Sequence, residues 1–196
     1  MEDDVARLSK KDPVLAKVIA KLHPFEIHKG SSYYEALLES IVSQQLSIKA
    51  SDTIWKRFIL LLPDQEVIPE SVYKIPDQKI RDAGISWQKV SYIKDLSLKT
   101  MESSILFEQF EIMTDEEIIT ELVKVKGIGR WTAEMFLMFA MNRPDVFSYG
   151  DLGLRRAIQK LYGLGHEPTQ IEAERISMKW KPLRTLASRY LWRSLE

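Results

Sequence analysis

Residues 125–135 read VKGIGRWTAEM. Gly127 and Gly129 stand at the mouth of a predicted helix, where glycine costs about 1 kcal/mol relative to alanine in a helix interior. Glycine tolerates positive φ and lets the backbone itself come close to a ligand. The N–H groups of the turn that follows point outward at the positive end of the helix dipole, which suits an anion such as a phosphate. Lys124, Lys126 and Arg130 flank the turn and add charge. Contacts of this kind to a nucleic-acid backbone carry no base-sequence information. The same pattern also fits a tight turn between two helices that binds nothing.

A carboxylate, Asp151, follows within RPDVFSYGDLGLRRA and opens another helix. One reading is an N-cap, whose side chain accepts hydrogen bonds from the first helical turn. The other is a catalytic carboxylate presented at a helix start. One residue can do both. Arg155 and Arg156 beside it read as solvated or phosphate-facing.

The elements that must hold these residues are helices. Asp12-Pro13 is a cap followed by proline at the first turn of VLAKVIAKL. SSYYEALLESIV starts at a Ser32…Glu35 capping box and TDEEIITELVKV at a Thr114…Glu117 box. SIKASDTIWKRFILLL resumes after a break at 44–47, and PDQKIRDAG closes at Gly84. SWQKVSYIKDLSLKTM is capped by Ser86. RWTAEMFLMFAMN, DLGLRRAIQKLYG, PTQIEAERISMKW and PLRTLASRYLWRSL complete the series. No alternating strand pattern appears. The expectation is an all-α chain of about ten helices in two lobes. One lobe spans about 1–32 plus 113–196 and the other about 33–112. The alternative is an N-terminal lobe, 1–112, to which the last helices return.

Composition narrows the chemistry. The 196 residues include no cysteine, which excludes disulfides, cysteine-bound zinc and iron–sulfur clusters. His23, His28 and His166 lack metal-ligand spacing, so no zinc or magnesium site is expected. No apolar run reaches the ~18 residues that span a bilayer, and MEDDVARLSKKDP has no secretory character. Formal net charge is zero, yet residues 124–160 carry seven cations against three carboxylates, and 175–196 carry six against one. That skew points to one face built for an anion.

GIGRWTAEM, PDVFSYGDLGLRRA and WKPLRTLASRYLW resemble, in order, the helix–hairpin–helix DNA glycosylases. The likeness is specifically to the 3-methyladenine DNA glycosylase II group in its short bacterial and yeast form. IVSQQLSIKAS and AGISWQKVSYI resemble it too, so the likeness covers roughly residues 33–195. It implies two helical lobes with a DNA and lesion cleft between them. It also implies an enzyme that flips an alkylated base from duplex DNA and hydrolyses its N-glycosidic bond, initiating base-excision repair. An aspartate at the position of Asp151 is then the catalytic group. Lyases of the superfamily carry lysine where this chain has Trp131, so the resemblance implies no lyase step.

The resemblance further places Trp131 and Trp192 in the base pocket, with Met135 where some relatives have an aromatic residue. It assigns Gly127, Gly129, Arg130, Lys126 and Lys124 to the DNA backbone. Gln45, Leu46 and Ser47 become the wedge and minor-groove segment. Trp180 reads as core. No cofactor is required, though family hairpins hold Na+ or K+ through backbone carbonyls, here those of Val123, Val125 and Ile128. Double-stranded alkylated DNA is the implied partner, with no membrane and a monomeric protein. The location follows the DNA: the cytoplasmic nucleoid in a prokaryote, the nucleus in a eukaryote. The alternative is a non-catalytic protein that binds damaged or abasic DNA on the same fold. Gly150, where many relatives have a second acid, and Met135 leave that alternative open.

Overall fold

The computed structural model describes residues 2–22 and 32–196. His23 and His28, discounted above as metal ligands, lie outside the described residues. The chain runs α1 (Glu2–Lys11), α2 (Pro13–Ile19), α3 (Tyr33–Ser43), α4 (Ile48–Ile59), α5 (Pro69–Lys74) and α6 (Asp77–Asp82). It continues with α7 (Trp87–Met101), α8 (Asp115–Leu122), α9 (Arg130–Phe139), α10 (Leu152–Tyr162), α11 (Gln170–Ser177) and α12 (Arg184–Arg193). Among the described residues there is no strand, so the fold is all-α. No helix among them is long and apolar enough to cross a membrane.

Local chemistry explains most helix starts. Ser32, Ser47 and Ser86 each accept a hydrogen bond from the backbone N–H three residues on. Thr114 and Glu117 form the reciprocal box expected for α8, and Thr169 with Glu172 forms a second one on α11. Each such cap contributes about 1 kcal/mol. Two helices were not anticipated. α1 reads EDDVARLSKK, a mostly polar helix whose one-sided apolar residues were not read as a helix face, and it buries Leu8 completely. α5 is six residues long, below the length at which periodicity is visible.

The chain divides into two compact units, Met1–His28 with Leu137–Glu196, and Lys29–Phe136. The expected boundary near residue 112 therefore moves to 136/137. The hairpin stays with the middle unit because its backbone is tied there by side chains of that unit. Gln44 donates to the Gly127 carbonyl at 2.9 Å, and Lys126 N–H donates to Asp95 at 2.9 Å. Phe136 packs edge-on to Tyr33 and Phe110. The core of this unit includes Leu37, Leu38 and Ile41 of α3, Phe58 of α4, Ile93 and Leu96 of α7, and Ile118 and Leu122 of α8.

The other unit packs Leu154 and Ile158 of α10 and Tyr190 and Leu191 of α12 around Trp180, with Leu8 and Leu15 from the first helices. Burying one such side chain contributes about 1.5–3 kcal/mol. Trp180 is core, as expected. Asp12 joins the ends of this unit. Its Oδ1 accepts Val14 N–H at 2.9 Å and caps α2, while its Oδ2 accepts Tyr162 Oη–H at 2.5 Å and Trp180 Nε1–H at 2.9 Å.

Asp12 is 1% exposed. Burial pushes its pKa up, but the bonds from Tyr162, Trp180 and the Leu15 and Val14 backbone outweigh it, leaving the carboxyl below its ordinary value of 3.8. A depressed folded pKa means stability that is present above the ordinary value and is lost as pH falls through the folded one. Asp12→Ala leaves four buried or part-buried donor groups without this acceptor and should cost about 3 kcal/mol at pH 7. Urea unfolding of both proteins at pH 7 and near pH 2 checks this. The gap between them should narrow in acid.

Candidate active site

Asp151 is the N-cap of α10, with φ −77° and ψ 117°. Its Oδ1 accepts Leu154 N–H at 2.7 Å and Trp192 Nε1–H at 2.8 Å. The cap fixes the carboxylate against the helix dipole, and the indole fixes its rotation. Asp151 and Trp192, both singled out from sequence, are thus brought into contact. Gly153 makes room for that contact. A Cβ there would lie 3.0 Å from Asp151 Oδ1 and 3.0 Å from Trp192 Cδ1.

The loop leading to Asp151 is bolted to the start of α12, the helix that carries Trp192. Arg184 holds Asp145 through two bonds, Nε to Oδ1 at 2.8 Å and Nη2 to Oδ2 at 3.0 Å, and also donates to the Asp145 carbonyl. A bidentate arginine–carboxylate pair fixes direction as well as distance. Thr185 adds three bonds: its N–H to Pro144 O, its hydroxyl to Arg143 O, and its Oγ1 from Val146 N–H. Arg155, read from sequence as solvated or phosphate-facing, instead donates to the Tyr149 and Gly150 carbonyls and pairs with Glu167. It ties down the residues just before the carboxylate. Gly150 itself has open space where a side chain would be.

α9 carries Trp131 and Met135 four residues apart on one face. Trp131 is 46% exposed and Met135 half-buried. The next residue on that face, Phe139, is 48% exposed and packs on Trp192 with ring centroids 5.7 Å apart. Arg189 stands over the Phe139 ring at 5.0 Å and donates to the Met138 carbonyl. Phe139 escaped notice in the sequence, although its spacing from Trp131 and Met135 was a usable signal.

At the hairpin, Gly127 has φ +81°, and its missing side chain admits the Tyr92 ring, which a Cβ would meet at 2.1 Å. Of the two hairpin glycines, only Gly127 has positive φ. Gly129 does not, and a Cβ there would meet open space. Its role is to leave the mouth of α9 uncovered. The first-turn N–H groups of α9 have no acceptor within the helix. The flanking cations are engaged with carboxylates. Lys124 pairs with Glu121 at 2.6 Å, Lys126 approaches Asp95 at 3.9 Å, and Arg130 bonds Glu134 at 3.0 Å and also Glu116. The Lys124–Glu121 and Arg130–Glu116 pairs are exposed, and such pairs are worth little and exchange readily, whereas the Glu134 and Asp95 carboxylates are largely buried.

Residues Val123–Gly129 line a shallow hollow at the turn, where the Val125 carbonyl accepts Ile128 N–H at 3.1 Å. No group of three or more His, Cys, Asp or Glu among the described residues could hold a metal. His166 faces Glu172 at 3.2 Å instead. Between α3 and α4, Gln45, Leu46 and Ser47 are all exposed, Gln45 has φ +58°, and Ser47 caps α4.

Two helices joined by a glycine turn, followed by a capped aspartate that an indole clamps, define a helix–hairpin–helix protein with a single-carboxylate site. The chain belongs to the HhH-GPD superfamily of base excision DNA repair proteins, whose family model matches residues 38–183. DNA-3-methyladenine glycosylase 1 of Schizosaccharomyces pombe is 34% identical over 182 residues, covering 92% of this chain and 80% of that protein. Bacillus subtilis YfjP is 33% identical over 184 residues; the match covers 88% of this chain but only 64% of YfjP. The solved S. pombe 3-methyladenine DNA glycosylase in complex with abasic DNA superposes with a TM-score of 0.86 at 31% identity, covering 97% of this chain and 95% of that one.

The crowding at Gly153 gives a test of the clamp. Gly153→Ala should keep the fold but push the Trp192 indole off Asp151 by a few tenths of an ångström. The Trp192 indole N–H resonance should move upfield and exchange faster with solvent, while the melting temperature falls by no more than a few degrees. A ¹H–¹⁵N spectrum of the variant beside the wild type reads both.

Proposed function

We propose that this chain is a monofunctional DNA N-glycosylase that flips an alkylated purine from duplex DNA and hydrolyses its N-glycosidic bond. The product is an abasic site, the first step of base-excision repair. The observation that carries this reading is the Asp151 carboxylate held by Leu154 N–H and the Trp192 indole. It stands in a chain whose relatives include 3-methyladenine glycosylases.

The chemistry suits one fixed carboxylate. A base alkylated at N3 or N7 already carries positive charge and leaves without a strong acid. Charge then grows on the deoxyribose, and a preorganised anion beside it lowers the barrier. Asp151 also has the lone pairs to orient an attacking water. Trp192 and Phe139 offer aromatic faces next to that carboxylate, and Trp131 and Met135 extend the apolar face along α9. A cationic base gains about 0.5–2 kcal/mol over each such ring. Trp131 stands where a lyase would need lysine, so no Schiff base forms.

Duplex DNA is the partner. The opening turn of α9 and the hairpin backbone meet a phosphate, with Lys124, Lys126 and Arg130 exchanging carboxylate for phosphate oxygen. Gln45, Leu46 and Ser47 fill the gap that flipping leaves. The neutral carbonyl oxygens of Val123, Val125 and Ile128 suit Na+ or K+, being hard donors. Such an ion would add positive charge at the turn. One substrate strand needs one site, so the protein acts as a monomer, wherever the cell keeps its DNA, in the cytoplasmic nucleoid or the nucleus.

Asp151→Asn keeps a capping side chain and should fold. Single-turnover release of 3-methyladenine from methylated duplex should fall by about 10³-fold, the scale of one lost electrostatic stabiliser. Borohydride should trap no covalent DNA complex with the wild type. Absence of release by either protein, with abasic-site binding intact, would replace this reading with a binding protein.

A further inference from the structure

The exposed turn between α3 and α4 is held from two sides by groups that the proposed chemistry does not use. The last carbonyls of a helix lack intrahelical donors. At the end of α3, Lys89 Nζ donates to Val42 O at 2.7 Å and to Gln44 O at 2.5 Å. The Gln44 side chain in turn donates to Gly127 O in the hairpin at 2.9 Å. Gln44 is thus tied through its carbonyl to α7 and through its amide to the hairpin. The next residue, Gln45, sits at φ +58°. A left-handed non-glycine residue costs about 1 kcal/mol or more and persists where its neighbours over-determine it. The two ties on Gln44 supply that constraint.

One helix face organises both ends. Lys89, Tyr92 and Asp95 recur every three residues along α7. Lys89 holds the α3–α4 turn. Tyr92 fills the space beneath Gly127, and Asp95 accepts Lys126 N–H. Burial pulls the Lys89 pKa below the ordinary lysine value, so its charge sits there at a cost that the carbonyls offset. A compact ammonium with three donors suits two converging carbonyls at a helix C-terminus.

We propose that Lys89 and Gln44 are positioning residues that fix the Gln45–Ser47 wedge at a set distance from the phosphate-binding hairpin, with α7 as their common frame. This rests on the proposed roles of wedge and hairpin. When the hairpin grips a phosphate, the pair makes the wedge arrive at the base stack in one register, so insertion needs no further ordering.

The test uses a duplex with 2-aminopurine opposite a tetrahydrofuran abasic analogue. Wedge insertion changes the probe's stacking and hence its fluorescence, with no chemistry required. Lys89→Met should bind this duplex within about threefold of wild type, because phosphate contacts dominate affinity. Its fluorescence change should fall by half or more, and release of 7-methylguanine from a paired site should drop about tenfold. Release from a site already unpaired should drop far less. Gln44→Ala removes the other tie and should show the same split, which keeps the test decisive if Lys89→Met folds poorly. Fluorescence equal to wild type in both variants would overturn the proposal. So would equal losses on paired and unpaired sites, the mark of a merely structural role. Wild type that shifts the fluorescence yet releases no base would overturn the glycosylase reading and leave the positioning pair standing.

Discussion

A helix N-terminus with a carboxylate on it is the interaction the proposed site depends on. The first-turn N–H groups of α10 need an acceptor, and Asp151 provides it through Leu154. The helix therefore fixes the carboxylate's position, which a free side chain could not hold. Fixing position is also what electrostatic stabilisation requires, because a dipole or charge that must reorganise during reaction loses most of its effect. The indole of Trp192 then restricts the remaining rotation. Everything near it serves that geometry: the Asp145–Arg184 bolt, the Thr185 bonds and the Arg155 tie all hold the incoming loop.

The same logic governs the hairpin by opposite means. On the proposed function the backbone is the working surface there, and side chains are withdrawn rather than added. Gly127 admits the Tyr92 ring from below, and Gly129 leaves space above. Filling the first space would clash; filling the second would only cover the N–H groups. The two glycines that look alike in the sequence thus act through different constraints, one by packing and φ, the other by leaving a face bare.

Much of the fold was legible because local signals were strong. Thr114 and Glu117 announced α8, Asp12-Pro13 announced α2, and Asp151 announced α10 as its cap. What stayed hidden was of two kinds. A helix as short as α5 is too brief to show a period, and α1 hides its one-sided apolar face among charges. Long-range pairings leave no local trace: nothing in DVFSYG says that Asp145 will meet Arg184, nor in SWQKVSY that Lys89 will cap α3. The domain boundary slipped for the same reason. Helix periodicity places α8 and α9 in the chain but does not reveal the bonds from Gln44 and Asp95 that keep the hairpin with the middle unit. Phe139 is the exception, a residue whose helical spacing was visible but unused.

The charge pattern deserves the same physical reading. A basic C-terminal half on a neutral chain suggested an open cationic face, yet the hairpin cations Lys124, Lys126 and Arg130 are engaged with Glu121, Asp95, Glu116 and Glu134. On the proposed function, a phosphate must displace carboxylates there, and each exchange yields less than a bare cation would. The backbone dipoles of α9 have no such competitor within the helix. Recognition would then rest on oriented N–H groups, which act over a short range, more than on diffuse charge. A zero net charge and a specific backbone clamp are therefore compatible, because the first weakens non-specific attraction while the second needs only local geometry.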